Sequence, residues 1–266
     1  MSGLQDKERM EKWSVQSPST PGFHAVITPD KADCKVAHVF RLNLLKGESY
    51  LLKSGDLELH PVLIEGEASL SEHSILNQEM TRFDSFYIPA EDSIKITAKT
   101  DCIFYIAGAK YEGIGKPMFR KYDPSLPIGD LHQIHGSGVA EREVMFTLAP
   151  QDAASRLIAG LTWSREGSWT SWPPHQHEKD LEEVYCYFDM HAPKFGLHIS
   201  YLHEGEVENI VTHVVRSGTM VQVPCGYHPT VASPGTINAY FWVLAAFTPE
   251  SRSYDLAVAD PNFESN

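Results

Sequence analysis

Two histidines separated by one residue could bind a metal ion together. They are His175 and His177 in the stretch Trp172-Pro-Pro-His-Gln-His, and a glutamate pair, Glu182 and Glu183, follows shortly after them. On an extended strand, residues i and i+2 point to the same face, so both imidazoles can reach one ion. A carboxylate from the next strand would then supply a third ligand.

A third histidine lies at the end of a turn-forming pattern. The residues from Gly218 to His228 fit Gly-x5-Pro-x-Gly-x-His, in which Pro224 and Gly226 build a tight turn that presents the histidine. A lone His-x-His triplet is a weak signal, because most such triplets are ordinary surface or core histidines. The triplet, the glutamate pair and the histidine turn, in this order, predict one divalent ion of Zn, Mn, Fe, Ni or Co held by three histidines and one glutamate.

Strand alternation distinguishes between the two glutamates, since neighbouring strand residues face opposite sides. Glu183 shares its face with Tyr185 and Tyr187, whose polar tips suit the inside of a barrel. Glu182 shares its face with apolar residues, which is typical of a packed side. We therefore expect Glu183 to be the ligand, with Glu182 as the alternative.

The elements that must position these residues are short β-strands. Strand-like segments occupy residues 36–45, 57–64, 102–107, 157–163, 184–188 and 237–246, and Gly, Pro, Asp or Ser separates nearly all such segments. Many short strands at turn-punctuated intervals indicate a sandwich or barrel rather than alternating strands and helices. The pattern predicts an all-β chain.

An internal repeat lies within this pattern. Residues 86–109 and 221–246 both read as strand, proline turn, strand, turn and apolar strand, with Pro89 and Pro224 about half a chain apart. The Gly- and Pro-rich stretch 111–139 is the expected boundary. We predict a polar segment at 1–20, a barrel at 21–138 and a metal-binding barrel at 139–266. The first barrel should lack metal ligands, because its turn from Pro89 to Ser93 has no histidine and no His-x-His precedes it.

Composition limits the classes of function. The net charge of −13 disfavours nucleic acid, and the longest apolar run, residues 239–247, is shorter than the roughly 20 residues of a membrane span. The polar N-terminal residues show no signal-peptide core, which favours a cytoplasmic location. The four scattered cysteines are expected to be free thiols. No nucleotide-binding glycine motif occurs, so no nucleotide cofactor is expected.

The C-terminal half, roughly residues 156–247, resembles the cupin superfamily. It is most similar to the 5-deoxy-glucuronate isomerases of inositol catabolism and to the related 5-keto-4-deoxyuronate isomerases. Residues 169–177 resemble their Trp-x-x-aromatic-Pro-Pro-His-x-His signature, residues 183–188 their Glu-x-Tyr strand, and residues 223–229 their Val-Pro-x-Gly-Tyr-His-Pro turn. The resemblance extends more weakly over the N-terminal half.

This resemblance implies a bicupin fold of two jelly-roll β-barrels and an aldose–ketose isomerase acting on a deoxy-uronic acid, most directly 5-deoxy-glucuronate. It favours Glu183 over Glu182 as the ligand. The loop between His177 and Glu183 is shorter than in the inositol-pathway enzymes, which leaves the substrate contacts there open. The substrate could therefore be a different sugar acid.

The chemistry of such an isomerase suggests further site residues. A proton next to a carbonyl must move to the adjacent carbon while a divalent metal stabilises the enediolate. Glu182, Tyr185 and His198 are the candidates for the proton-transfer base, and the sequence does not choose among them.

Two arginines and a tyrosine are candidates for binding the substrate. Arg142 and Arg156 could each pair with its carboxylate, although either could equally form a surface ion pair. Tyr227, beside His228, could line the pocket or pack at a strand end. The expected partner is a small sugar acid, and homo-oligomerisation is left open.

Two other functions are kept as alternatives. Two histidines and one carboxylate also form the site of non-haem iron dioxygenases. A non-catalytic cupin that binds sugar acids would carry the same residues, because fold alone does not define function.

Overall fold

The computed structural model describes residues 3–206 and 208–263, in which strands make up most of the regular structure. One short α-helix, α1 (Gly3–Met10), precedes the first strand, β1 (Ser14–Gln16). No helical stretch within these two ranges has the length and apolar character that a membrane span requires.

The first half of the chain forms two antiparallel sheets around one core. Its strands are β2 (Gly22–Ile27), β3 (His38–Leu44), β4 (Ser49–Lys53), β5 (Leu57–Glu65), β6 (Ala68–Ser71), β7 (Glu79–Met80), β8 (Ser85–Tyr87), β9 (Ser93–Ala98), β10 (Cys102–Lys110) and β11 (Met118–Arg120). The larger sheet has the order β11-β8-β5-β10-β3-β2. The smaller sheet has the order β4-β9-β6-β7.

The second half repeats this arrangement. Its strands are β12 (His132–His135), β13 (Arg142–Leu148), β14 (Leu157–Glu166), β15 (Trp169–Thr170), β16 (His175–Gln176), β17 (Leu181–Tyr187), β18 (Gly196–Ser200), β19 (Val211–Val215), β20 (Thr219–Val223), β21 (Thr230–Ala232), β22 (Ile237–Ala246) and β23 (Val258–Ala259). The larger sheet has the order β1-β20-β17-β22-β14-β13-β12, and the smaller has the order β15-β21-β18-β19. β16 pairs with β23 in a separate ribbon. Two 3-10 turns, Gly138–Ala140 and Pro249–Ser251, complete this half.

Ten strands of one barrel correspond to ten of the other, and β12, β16 and β23 have no counterpart in the first half. The order β8-β5-β10-β3-β2 corresponds to β20-β17-β22-β14-β13, and the smaller sheets correspond in the same way. β11 and β1 lie at equivalent edges, although β1 comes from the N-terminal segment and pairs with β20 of the second half. The predicted all-β fold of two barrels related by an internal repeat is confirmed.

Strand alternation produces three apolar cores. The core inside the first barrel is built from apolar side chains such as Leu42, Leu63 and Phe104, whereas the core inside the second barrel includes Tyr185 and Tyr187. A third core joins the larger sheets of the two halves. Alternate residues of β17 therefore face two different cores, one inside the second barrel and one between the barrels.

Two buried glutamates connect the halves through backbone amides. Glu58 on β5 accepts hydrogen bonds from the amides of residues 155–157, which lead into β14, at 2.7, 2.7 and 2.9 Å. Glu182 on β17 accepts hydrogen bonds from the amides of residues 35–37, which lead into β3, at 2.5, 2.9 and 3.1 Å. Because β5 and β17 are equivalent strands, the two interactions are reciprocal. Each buried carboxylate is thereby satisfied by donors from the other half.

We propose that the two domains meet between Arg120, the end of β11, and His132, the start of β12. β12 pairs with β13 in the sheet of the second half, so this boundary lies earlier than the one expected near residue 138. Residues 14–16 of the polar segment add a strand to the second barrel and do not stand apart.

Candidate metal centre

Four side chains from three places in the second barrel converge on one point. His175 lies on β16, His177 follows it, Glu183 lies on β17, and His228 comes from the turn between β20 and β21. One potential ligand atom from each residue lies within 4.8 Å of the others. The structure thus brings together the four residues that the sequence suggested as metal ligands.

The turn that carries His228 requires glycine at one position. Gly226 has a φ of +78°, and a Cβ atom there would lie 2.5 Å from the carbonyl oxygen of Tyr201. Only glycine adopts this backbone conformation readily and leaves room for the neighbouring chain. The Pro-x-Gly-x-His pattern therefore has a steric basis.

Backbone carbonyls orient all three imidazoles. The Nδ1 atoms of His175, His177 and His228 lie 3.1, 3.3 and 3.0 Å from the carbonyl oxygens of residues 173, 181 and 226. A carbonyl oxygen only accepts hydrogen bonds, so each Nδ1 carries the proton and donates it. Each neutral ring then presents the lone pair of Nε2 as a potential ligand, an arrangement typical of metal-binding histidines.

The centre of this cluster needs a positive charge. An oxygen of Glu183 lies 3.0 Å from Nε2 of both His177 and His228. With Nδ1 protonated in each ring, both nitrogens and the carboxylate are acceptors that face one another. His228 Nε2 is fully buried and makes no hydrogen bond to any described residue. Either additional protons or a bound cation must balance these lone pairs, and the donor set suits a divalent transition metal.

Burial and mutual charge set the ionisation of the cluster. Burial, together with the positive charge that His228 and His177 would carry when protonated, lowers the pKa of His175 to about 3. Burial by itself would raise the pKa of Glu183, but the neighbouring His177 and His228 rings, which stabilise the carboxylate whenever they carry a proton, outweigh burial and place that pKa below its usual range. A neutral His175 and an ionised Glu183 are the forms that bind metals.

The cluster lies beside a cavity of about 420 Å3. His175, His177 and Glu183 line this cavity, whereas His228 lies behind them. Aromatic and aliphatic side chains form most of the remaining wall: Trp172, Leu181, Tyr185, Tyr240, Trp242, Leu244 and Tyr254. This combination of an apolar wall and a few polar groups is typical of small-molecule sites.

Arg142 is the arginine that lines the cavity. Its Nη1 donates to the carbonyl oxygens of Ala140 and Trp172 at 3.3 and 3.2 Å. Within residues 3–206 and 208–263, no carboxylate lies within ion-pair distance of this guanidinium. Its charge is therefore available to an anionic group in the cavity.

The other two candidates for substrate binding do not line the cavity. Arg156 donates to Glu112 at 2.6 Å and to the carbonyl oxygen of Phe247 at 2.5 Å, which uses the fork of its guanidinium for structure. The ring of Tyr227 stacks on that of Tyr201 with centroids 4.9 Å apart. For these two residues, the structure favours the packing and ion-pair interpretations.

Two of the three candidate bases also need correction. Glu182 faces the first barrel, where the amides of residues 35–37 surround its carboxylate. His198 is fully buried outside the cavity wall, and its Nδ1 lies 2.8 Å from the hydroxyl of Tyr187. Burial lowers the pKa of His198 well below its ordinary value. Only Tyr185 among the three lines the cavity.

Some cavity residues had no place in the sequence interpretation. Ser171 has a φ of +51°, and its Oγ lies 2.6 Å from the hydroxyl of Tyr185. Tyr240 could have been found from the alternation of β22, since Trp242 on the same face also lines the cavity. Tyr254 lies beyond the last barrel strand, where no periodic pattern pointed to it.

The chain is similar to proteins of one family over most of its length. Residues 13–264 match the KduI/IolB family. A protein from Geobacillus kaustophilus (strain HTA426) named 5-deoxy-glucuronate isomerase is 30% identical over 245 residues, which cover 86% of each chain. A protein of the same name from Bacillus subtilis (strain 168) is 25% identical over 86% of this chain and 88% of its own length.

Solved structures support the same fold. An IolB-like protein from Salmonella typhimurium LT2 aligns with a TM-score of 0.80 at 23% identity, covering 95% of this chain and 98% of that one. An oxalate decarboxylase from Lactobacillus farciminis aligns with a TM-score of 0.61 at 10% identity, covering 93% and 88%. These alignments agree with the predicted bicupin fold of two jelly-roll barrels. Because the family match spans nearly the entire sequence, this chain belongs to the KduI/IolB family.

Proposed function

We propose that this protein is a metal-dependent aldose–ketose isomerase that acts on a deoxy-uronic acid, most directly 5-deoxy-glucuronate in inositol catabolism. The observation that carries the proposal is the convergence of three Nε2 lone pairs and the Glu183 carboxylate beside a cavity lined by Arg142, which forms no ion pair with any described residue. The names of the relatives support the same reaction class.

The four cluster residues would hold one divalent ion of Zn, Mn, Fe, Ni or Co. When bound, such an ion polarises a carbonyl oxygen and stabilises the negative charge of an enediolate. His175, His177 and Glu183 line the cavity and His228 is fully buried, so these four residues would hold the ion beside the cavity. Substrate would approach from the cavity side.

Arg142 is proposed to bind the substrate carboxylate. A guanidinium offers two parallel donors that match a carboxylate. This guanidinium has no acidic partner among the described residues, and the cavity wall around it is largely apolar. A uronate bound there would have a fixed orientation, with its carboxylate at the arginine and its carbonyl at the metal centre.

Ser171 and Tyr185 are proposed to move the hydroxyl proton. Isomerisation moves one proton between the two carbons and a second proton from the hydroxyl oxygen to the neighbouring carbonyl oxygen, and these two residues are proposed for the second transfer. Burial raises the pKa of Tyr185 well above its ordinary value, so the phenol starts protonated and serves as a donor, not as a base. Tyr185 can donate to the carbonyl oxygen and receive the Ser171 proton across their 2.6 Å contact. Ser171 is restored by the proton of the substrate hydroxyl.

The test is conversion of 5-deoxy-glucuronate to its ketose by the purified protein, followed by NMR. We expect turnover under anaerobic conditions without NAD or ATP. Chelation should abolish it and a divalent ion should restore it, which also identifies the metal. Heat-treated protein with the same metal content is the control.

Three outcomes would reject the proposal. Full activity in a metal-free sample would exclude the metal mechanism. Turnover that consumes oxygen would favour the dioxygenase alternative. Tight binding of uronates without any conversion would favour a sugar-acid-binding cupin.

The cytoplasmic location is proposed as well, because all four cysteines are free, as is usual in a reducing compartment.

A further inference from the structure

The chain segment after β22 runs along one side of the cavity. We name residues 252–263 the C-terminal strap. Tyr254, Asp255, Ala257 and Ala259 of this strap line the cavity, and its strand β23 pairs with β16, which carries His175. Part of the site is thus built by a segment that follows the repeated barrel.

Charged side chains fix the strap at both ends. The guanidinium of Arg252 donates to the carbonyl oxygens of residues 149, 150 and 157 at 2.9, 2.8 and 2.7 Å. Asp260 is fully buried. Its carboxylate accepts from the Tyr201 hydroxyl at 2.9 Å and from two backbone amides at 3.0 Å. These anchors give the strap a defined position, unlike an ordinary chain terminus.

Tyr254 is held rigidly between these anchors. Its ring packs edge-on against that of Phe146, with ring centroids 4.9 Å apart. The ring of Trp242 also packs against it, with ring centroids 5.6 Å apart. Tyr254 lines the cavity, and its hydroxyl makes no hydrogen bond to any residue that the structure describes. A packed phenol in a cavity wall, with no hydrogen-bond partner among residues 3–206 and 208–263, can bond to a group in the cavity.

The charges that act on this phenol belong to the cavity. Burial raises the pKa of Tyr254, the charge of Arg142 lowers it, and that of Glu183 raises it. Arg142 and Glu183 are the proposed contacts for the two ends of the substrate. The hydroxyl of Tyr254 therefore lies in the electrostatic field of the region that a bound sugar acid would occupy.

We infer that Tyr254 is a specificity residue that hydrogen-bonds a hydroxyl group of the sugar acid, and that Asp260 is a positioning residue that holds Tyr254 in place through the strap. The inference rests on the proposed function for the presence of a sugar acid in this cavity. The carboxylate and the reacting carbons have partners in Arg142 and the metal centre, whereas the remaining hydroxyls need others. A site built to bond a hydroxyl discriminates against analogues that lack it.

The test compares Tyr254→Phe, Asp260→Asn and the double variant in the full chain with its metal. Tyr254→Phe keeps the ring packing and removes only the hydroxyl, so we expect KM to rise about tenfold while kcat changes less than about twofold. Asp260→Asn should raise KM by a similar factor at unchanged metal content. The matched control is Tyr50→Phe in the first barrel, whose ring stacks on Phe23.

A double-mutant cycle tests whether Asp260 acts through Tyr254. If it does, the double variant should have a KM close to that of the worse single variant, since coupled residues are not additive. The inference would be overturned if the increases in KM of the two single variants multiplied in the double variant, or if Tyr254→Phe left KM unchanged. If Asp260→Asn does not fold, the Tyr254→Phe result decides by itself.

A binding measurement separates this inference from the proposed function. If the wild type isomerises no uronate, the proposed function fails, and calorimetry with D-glucuronate then tests Tyr254. Weaker binding by Tyr254→Phe than by the wild type supports the inference. Equal binding, or no binding by the wild type, overturns it.

Discussion

Each histidine of the metal centre uses its two nitrogens differently. Nδ1 bonds to a backbone carbonyl and fixes the ring, which leaves Nε2 as the ligand atom. His228 shows the consequence most clearly, because its Nε2 is fully buried, has no hydrogen bond to the part of the chain that the structure describes and lies 3.0 Å from a carboxylate oxygen of Glu183. Orientation by the backbone therefore fixes which nitrogen of each ring can bind a metal.

Replacing His228 with alanine should empty the metal site without unfolding the protein. The wild type should hold about one ion per chain, and His228→Ala should lose most of it, because three remaining ligands bind far less tightly than four. Elemental analysis after dialysis measures the content, and circular dichroism checks the fold. The exposed His191→Ala is the control. Retention of the ion in His228→Ala would contradict the site, and two ions per chain would contradict a metal-free first barrel.

At the scale of elements, neighbouring side chains of β17 point to opposite faces and take part in different contacts. Glu183 points into the second barrel toward the histidines, while Glu182 points to the interface and accepts three amides of the first barrel. Glu58 on the equivalent β5 makes the reciprocal contact with residues 155–157. The repeat thus preserves the interface glutamate in both halves, whereas only β17 adds a ligand.

Glutamine substitutions at these neighbouring positions should have different effects. Glu183→Gln should lower metal content and activity, because the amide loses the charge that helps to hold the ion. Glu182→Gln should keep the metal and cost about 1–3 kcal/mol of unfolding free energy, since part of the amide cannot accept hydrogen bonds from buried donors. Metal analysis and urea denaturation measure both effects. A larger metal loss in Glu182→Gln would show that the strand faces are assigned the wrong way round.

At the scale of the whole molecule, polar side chains are buried where the two barrels meet. His60 on β5 is fully buried, and its Nε2 lies 2.9 Å from the hydroxyl oxygen of Thr147 in the second half. Burial, followed by the charge of Arg120, lowers the pKa of His60 from 6.5 to about 3. The lowered pKa keeps this imidazole neutral at pH 7.

Acid should weaken the folded state from about pH 6.5 downward. The pKa of His60 is depressed in the folded chain, so the unfolded chain binds more protons below pH 6.5 and stability falls with pH. Between pH 6.5 and 5 this histidine alone should cost about 2 kcal/mol. Urea denaturation at several pH values measures the slope, which should be smaller in His60→Gln and unchanged in His191→Gln. An equal slope in all three proteins would show that His60 does not contribute.

The sequence by itself determined the local features. Two-residue alternation predicted which face of β17 carries Glu183, and the Pro-x-Gly-x-His pattern predicted the turn of His228, because both depend on backbone geometry within a few residues. The repeat was visible for the same reason, since equivalent turns and strands need similar residues. These features were sufficient for the all-β fold and for the four candidate ligands.

Only the tertiary structure decided which distant groups share the cavity. The sequence offers Arg142 and Arg156 equally as partners for a carboxylate. In the structure Arg142 lines the cavity, whereas Arg156 pairs with Glu112. Glu182 is a candidate base by sequence, but in the folded chain the amides of residues 35–37 donate to its carboxylate. Tyr254 of the strap lines the cavity, and the flanking Arg252 and Asp260 hold the strap through hydrogen bonds to residues that are distant in sequence. Such contacts join segments that are remote in sequence, and no local pattern encodes how two barrels and a tail pack together.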